Sequence, residues 1–376
     1  MSMGPRSAHE PHRTSTPLEL FFDLVFVVAI ARAAAGLHHA IAADHVAHGL
    51  AGFAMVFFAI WWAWMNFTWF ASAYDCDDVP YRVAVFVQIT GALVLASGIP
   101  AMFEAVKPNG AVVAGYVIMR AALVVQWMRA AAGDPPRRGC AYRYAAGITV
   151  LQVAWLSLLL VPAFMLPGFL VLATLEMALP LWAERHSPTT WHPHHIAERY
   201  GLLTLIVLGE SVLSATVSLD SALATGTRLQ VLAPSVIGGL LTMFSMWWIY
   251  FDRPVHDLLT NFRRAFAWGY GHYLVFASAA AVGTGLAVTV DVATGEAAIG
   301  PVGAGLAVTV PVSIYLIAVW ILHNRPEYRR TRWLAPAAVP VILLTSFTGL
   351  PVLFTGLVLA AIVAIKVVSP RVQSGL

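Results

Sequence analysis

Charge is scarce in this sequence. Of 376 residues, 22 are Lys or Arg and 19 are Asp or Glu, together 11% of the chain, against 59% apolar residues. Soluble globular proteins run near 25% charged. So few charges among roughly 220 apolar side chains cannot build a water-facing surface. A soluble enzyme, a disordered chain and a nucleic-acid binder are excluded on that ground. Cysteine is nearly absent as well, and Cys76 and Cys140 make neither a metal pair nor a disulfide framework. There is no phosphate-binding GxxxxGK(S/T), no nucleophile elbow and no haem CxxCH. ATP-driven transport by this chain alone and c-type haem chemistry are therefore not indicated, and no cofactor is called for. Residues 1–17 are polar and carry Arg6, His9, His12 and Arg13, unlike a cleavable signal.

Apolar runs fill the rest, and mean hydropathy is +0.76. A bilayer span takes about 20 apolar residues, so twelve would use about 240 positions. The runs fall at 18–40, 46–71, 82–102, 112–131, 143–162, 164–183, 198–218, 231–251, 266–289, 300–323, 333–349 and 351–368. They predict an all-α, polytopic membrane protein with about twelve transmembrane helices and the lipid bilayer as its partner. Two close pairs can each be miscounted by one, because only prolines or Gly349 and Pro351 break them. The basic residues support the count. With the N-terminus inside, 18 of the 22 lie on inner loops and ends, whereas Lys107 and Arg228 are the outer ones and Arg32 and Arg120 fall within spans. Basic residues collect on cytoplasmic loops, so both termini are expected in the cytoplasm, at the cell membrane.

The halves echo each other. WWAWMNFTWFASAYDCDDVPYRVAVFVQ (61–88) and WWIYFDRPVHDLLTNFRRAFAWGYGH (247–272) each place a tryptophan pair, an acidic loop and an aromatic–Arg pair in that order. Six spans per unit give a parallel repeat, an arrangement found in transporter folds. The expected organisation is a tail at 1–17, a first six-helix repeat at 18–184, a His-rich linker at 185–197, a second repeat at 198–368 and a tail at 369–376.

Three segments carry a family likeness: TPLELFFDLVFVVAI, HHIAERYGLLTLIVLGES and GHYLVFASAAAVGTG. The chain resembles the bacterial low temperature requirement A family over nearly its whole length. That resemblance implies an integral membrane protein linked by name to growth in the cold. It implies no substrate, cofactor or catalytic residue. The His-rich WHPHH before the central motif is not assumed to be a family feature.

Ionisable groups inside spans cost at least about 2.5–3.5 kcal/mol each at the bilayer centre, so each calls for a partner or a purpose. Glu19 fits a capping box with Thr16, with Pro17 at the first helical position. Asp23 lies one turn deeper on the same face and calls for an arginine from a neighbouring span. Arg32 is half a turn round from Asp23 and can snorkel outward. Glu210 sits mid-span in LIVLGES, beside Ser211 and Gly209, with the glycine expected to permit close helix approach. A mid-membrane carboxylate reads as a proton or cation site; the plainer alternative is a buried arginine–glutamate pair, for which Arg120, also mid-span, is the natural counter-charge, as Glu176 on the sixth span would be. His194 and Glu198 share a helix face, so His194 and His195 are weak metal candidates. Four histidines, His38, His39, His45 and His48, bracket the first outer loop. Asp75, Arg82, Glu198, Arg199, Asp252 and Arg263, with Glu19, line the cytoplasmic ends as a gate or a static lock.

Two readings remain open. One is a secondary transporter or channel-like protein for a small solute or ion, with Glu210, Asp23 and Arg120 on its pathway. The other is a membrane-embedded enzyme or accessory factor acting on lipid or envelope components, for which the residue 192–199 cluster is the only suitable feature.

Overall fold

The structure, a computed structural model, describes residues 3–7, 10, 13–104, 109–323 and 331–369. Lys107, Arg325, Arg329, Arg330 and Arg371, which enter the count of basic residues, lie outside them, as does the tail beyond Ser369. Among the described residues there are twelve α-helices and no strand. They are α1 (Pro17–Ala42), α2 (Val46–Tyr74), α3 (Val79–Glu104), α4 (Gly110–Gly133), α5 (Arg138–Leu158), α6 (Met165–Ala183), α7 (Pro193–Ala224), α8 (Leu229–Phe251), α9 (Phe262–Thr294), α10 (Pro301–Leu322), α11 (Leu334–Thr345) and α12 (Pro351–Val368).

Ten of these are long and apolar enough to cross a bilayer, and the protein is membrane-embedded. The other two are α5 and α11. Arg138, Arg143 and Gln152 dilute the apolar character of α5. The 12 residues of α11 reach only about 18 Å at 1.5 Å per residue, short of the hydrocarbon thickness.

The termini of the helices follow local chemistry. Thr16 and Glu19 form the expected capping box: Thr16 N donates to Glu19 Oε2 at 2.8 Å and Glu19 N to Thr16 Oγ1 at 3.3 Å. Asn109 caps α4, accepting from Ala111 N and Val112 N. Asn261 caps α9, which ends on Gly295 in the left-handed conformation at φ 78°. The seventh helix begins at Pro193, not at 198, because proline suits a first turn whose N–H groups have no intrahelical partner. The last five residues of the expected linker are thus helical.

The chain divides into two compact units, Met1–Ala33 with Gly52–Arg199, and Ala34–Ala51 with Tyr200–Leu376. In the first, α3 and α4 touch backbone to backbone: a Cβ on Gly115 would lie 2.3 Å from Leu95 N. Trp61, Trp62 and Trp64 are buried in this unit. Its N-terminal segment closes the end of α2, where Arg6 N donates to Ala73 O at 2.8 Å and the Arg13 guanidinium to the carbonyls of Ala71 and Ser72. The Ser72 and Ala73 carbonyls are among the groups that a helix end leaves without intrahelical partners, and Ala71 O also accepts from Asp75 N at 3.1 Å.

In the second unit a Cβ on Gly285 would lie 2.2 Å from Ala307 O, and one on Gly238 2.4 Å from Val352 O. Small residues let membrane helices approach this closely. His38, one of the four loop histidines, lies 2.6 Å from Asp291 and stacks on His39. The tryptophan pairs that suggested a repeat differ in placement, since Trp247 and Trp248 are exposed whereas Trp61 and Trp62 are buried.

Candidate functional site: buried intramembrane charge

Four ionisable side chains meet in the first unit where the starts of α1 and α7 pack. Glu19 and Asp23 are four residues apart on one helix, and His195 and Arg199 four apart on the other, so each pair occupies one face. Arg199 donates Nε to Asp23 Oδ2 at 2.8 Å, Nη2 to Asp23 Oδ1 at 2.5 Å and Nη1 to Glu19 Oε1 at 3.0 Å. His195 Nε2 lies 3.0 Å from the same Glu19 oxygen. All four are buried. The bidentate fork is the arrangement that arginine, and not lysine, can make. Asp23 therefore meets an arginine from another helix. Arg199, which the basic-residue count places at the cytoplasmic edge, sits inside the bundle. Glu19 is at once a helix cap and an ion-pair partner.

A second ion pair lies deeper in the same unit. Arg120 Nη2 donates to Glu176 Oε2 at 2.6 Å, joined there by Trp62 Nε1 at 2.8 Å. Tyr116 Oη and Trp155 Nε1 each reach Glu176 Oε1 at 3.3 Å, and Gln152 Nε2 approaches it at 3.5 Å. Arg120, expected as the counter-charge of Glu210, thus pairs with Glu176 instead. Its guanidinium also lies 5.6 Å from the centre of the Tyr116 ring, while Arg120 Nε and Nη1 have no hydrogen-bond partner among the described residues.

Tryptophan donors link both sites, and sequence reasoning missed them. Trp64 Nε1 donates to Asp23 Oδ1 at 2.6 Å while Trp62 serves Glu176. Two residues on a helix are about 200° apart at 3.6 per turn, so the WWAW run points one N–H to each carboxylate. The legible signal was a donor-only side chain repeated near membrane carboxylates.

In the second unit Glu210 is 5% exposed, and its Oε2 has no hydrogen-bond partner among the described residues. The neighbouring Ser211 hydroxyl donates to Ala279 O at 2.9 Å. The close helix approach expected at Gly209 lies at Gly283 instead, where a Cβ would stand 2.6 Å from Ser211 Cα. A Cβ on Gly209 would meet open space.

The remaining candidates are not one network. Arg82 pairs with Asp77 at 2.6 Å on the surface, Asp252 with Lys366 at 3.1 Å, and Arg263 is exposed. Arg32 is exposed, on the outer face of α1. Asp75 faces Arg6 at 3.5 Å, and burial together with the Glu19 charge pushes its carboxyl up to about 6 despite Arg13 and Arg6. Burial also raises Glu184, although Thr189 and Tyr144 donate to it. Glu198 accepts from Ser15 N at 3.2 Å. His194 is exposed and His195 faces Glu19, and no three metal-ligating side chains converge among the described residues.

An uncharacterized protein of Rhizobium meliloti (strain 1021) is 30% identical over 244 residues, 62% of this chain. The chain spans 57% of that relative's length. Residues 14–368 match the family described as bacterial low temperature requirement A protein (LtrA). That match takes in both arginine–carboxylate sites and Glu210, and the chain belongs to the LtrA family.

Proposed function

We propose that this protein is a secondary transporter or channel-like protein for a small solute or ion, with Glu210 as its exchangeable intramembrane charge. The carrying observation is a contrast among buried carboxylates. Glu19, Asp23 and Glu176 each accept hydrogen bonds from an arginine, whereas Glu210 Oε2 is buried with no hydrogen-bond partner among the described residues. A carboxylate in hydrocarbon must be neutralised. Where no arginine does so, a proton or a cation does, and either can leave. The arginine-bound sites are static by the same logic, because opening them would strand a buried charge.

The wider arrangement in this reading is twelve spans in two parallel six-helix repeats, both termini in the cytoplasm, at the cell membrane. The one-sided distribution of basic residues supports it, as does the glycine-tight packing of α3 on α4 and of α9 on α10.

Thermal stability of the purified protein tests the assignment. A ligand that binds the folded state stabilises it by mass action. Screened against monovalent and divalent cations and a pH series, the wild type should show a stabilisation that Glu210→Gln lacks. Identical responses in the two proteins would remove Glu210 from the site.

A further inference from the structure

Glu210 shares its face of α7 with apolar side chains. Leu213 and Val217, three and seven residues on, lie on that face and are each 60% exposed. The adjacent hydroxyl, Ser211, turns toward α9, donating to Ala279 O at 2.9 Å and lying 3.0 Å from Val207 O of its own helix. Ionisable groups are distant on each of the helices that pack here. On α7 the next acids are Glu198, twelve residues before, and Asp220, ten after, about 18 and 15 Å along the axis. On α9, Gly283 stands at the level of Ser211. The nearest ionisable groups there are His272, Tyr273 and Asp291, eight to eleven residues from Gly283, about 12–16 Å along the axis. The helix α8 borders a hollow with α7 and α9 and carries no ionisable side chain from Leu229 to Ile249.

A metal cation stripped of water needs several oxygens at once. Calcium takes about six to eight ligands and magnesium about six in an octahedron, and potassium exchanges its hydration shell for rings of carbonyls. Glu210 offers one carboxylate beside an apolar strip, and among the described residues no three His, Cys, Asp or Glu side chains converge. A proton needs no further ligand. It forms one O–H bond and leaves a neutral carboxyl, the least costly state in an apolar surrounding. We propose that the species exchanged at Glu210 is a proton, one O–H bond forming on the carboxylate at uptake and the same bond breaking at release. This rests on the reading of Glu210 as an exchangeable charge and names what it exchanges.

Infrared spectroscopy of the full-length protein in lipid nanodiscs tests it, because a protonated carboxyl has a C=O stretch that a carboxylate lacks. Subtracting the Glu210→Gln spectrum from that of the wild type isolates the Glu210 band from those of the other buried acids. Glu210→Asp keeps a carboxyl and should show a pH-dependent band of its own. The wild-type band should vanish as pH rises. At a fixed pH where it is present, it should keep its full amplitude when sodium, potassium, magnesium or calcium replaces N-methylglucamine at constant ionic strength. Loss of the band on adding one of these cations would overturn the proposal and leave Glu210 an exchangeable charge that takes a metal. A Glu210 band that answers neither pH nor cation, or no such band at any pH, would overturn both the proposal and the reading beneath it.

Discussion

Arg199 Nη2 lies 2.5 Å from Asp23 Oδ1, and the same guanidinium reaches Glu19 through Nη1 at 3.0 Å. One arginine thus donates to two carboxylates from a single helix face, with Trp64 as a further donor to Asp23. Removing it would strand two buried acids.

Arg199→Met should therefore destabilise the protein by about 3–5 kcal/mol, the usual cost of breaking a buried pair from one side. Arg199→Lys should recover only part, because an ammonium cannot make the bidentate fork. The triple variant Arg199→Met with Asp23→Leu and Glu19→Gln should be less damaged than Arg199→Met alone. Thermal unfolding followed by size-exclusion chromatography in detergent measures this order.

At the deeper pair, Glu176→Gln should cost more than Trp155→Phe. The glutamate gathers Arg120, Trp62 and Tyr116, whereas the tryptophan contributes one hydrogen bond at 3.3 Å. A lost neutral hydrogen bond costs about 1 kcal/mol, and a stranded charge several times that. Comparative melting temperatures give the ratio.

Much of this was legible in the sequence. Each of the twelve apolar runs holds a helix, ten of them long and apolar enough to cross a bilayer, and the demand that Asp23 find an arginine on another helix is met. Partner identity was harder to read, since it depends on helix rotation and on which helices become neighbours. Arg199 sits at the polar edge of a hydrophobic run and so counted as a loop residue. The five residues Pro193 to Ala197 extend α7 ahead of Glu198, so Arg199 lies within the helix and not in a loop. Trp62 and Trp64 look like core or interfacial bulk until the carboxylates beside them are placed.

Glycine substitutions separate close packing from mere helix composition. Gly115→Ala should be destabilising, because its Cβ would lie 2.3 Å from Leu95 N in the backbone of α3. Gly209→Ala should be neutral or stabilising by up to about 1 kcal/mol, as alanine is the better helix former and open space receives the methyl group. The pair of melting temperatures checks both signs.

Asp75 makes a pH prediction. Its carboxyl is raised from 3.8 to about 6 in the folded protein, so the folded state binds the proton more tightly than the unfolded chain. The stabilisation is fully present below about pH 4, falls as pH rises toward about 6, and is lost above that. Asp75→Asn should lack this component. The stability difference between wild type and Asp75→Asn, measured from pH 4 to pH 7, should drift against the wild type across that window.

Flux is the direct test of Glu210 as an exchangeable charge. Wild type and Glu210→Gln are reconstituted at equal density into liposomes carrying an internal pH dye, and gradients of protons and of individual cations are imposed. Protons or cations should move through the wild type, and the folded Glu210→Gln variant should abolish that movement. Equal flux through both proteins, in every gradient, would contradict that role for Glu210.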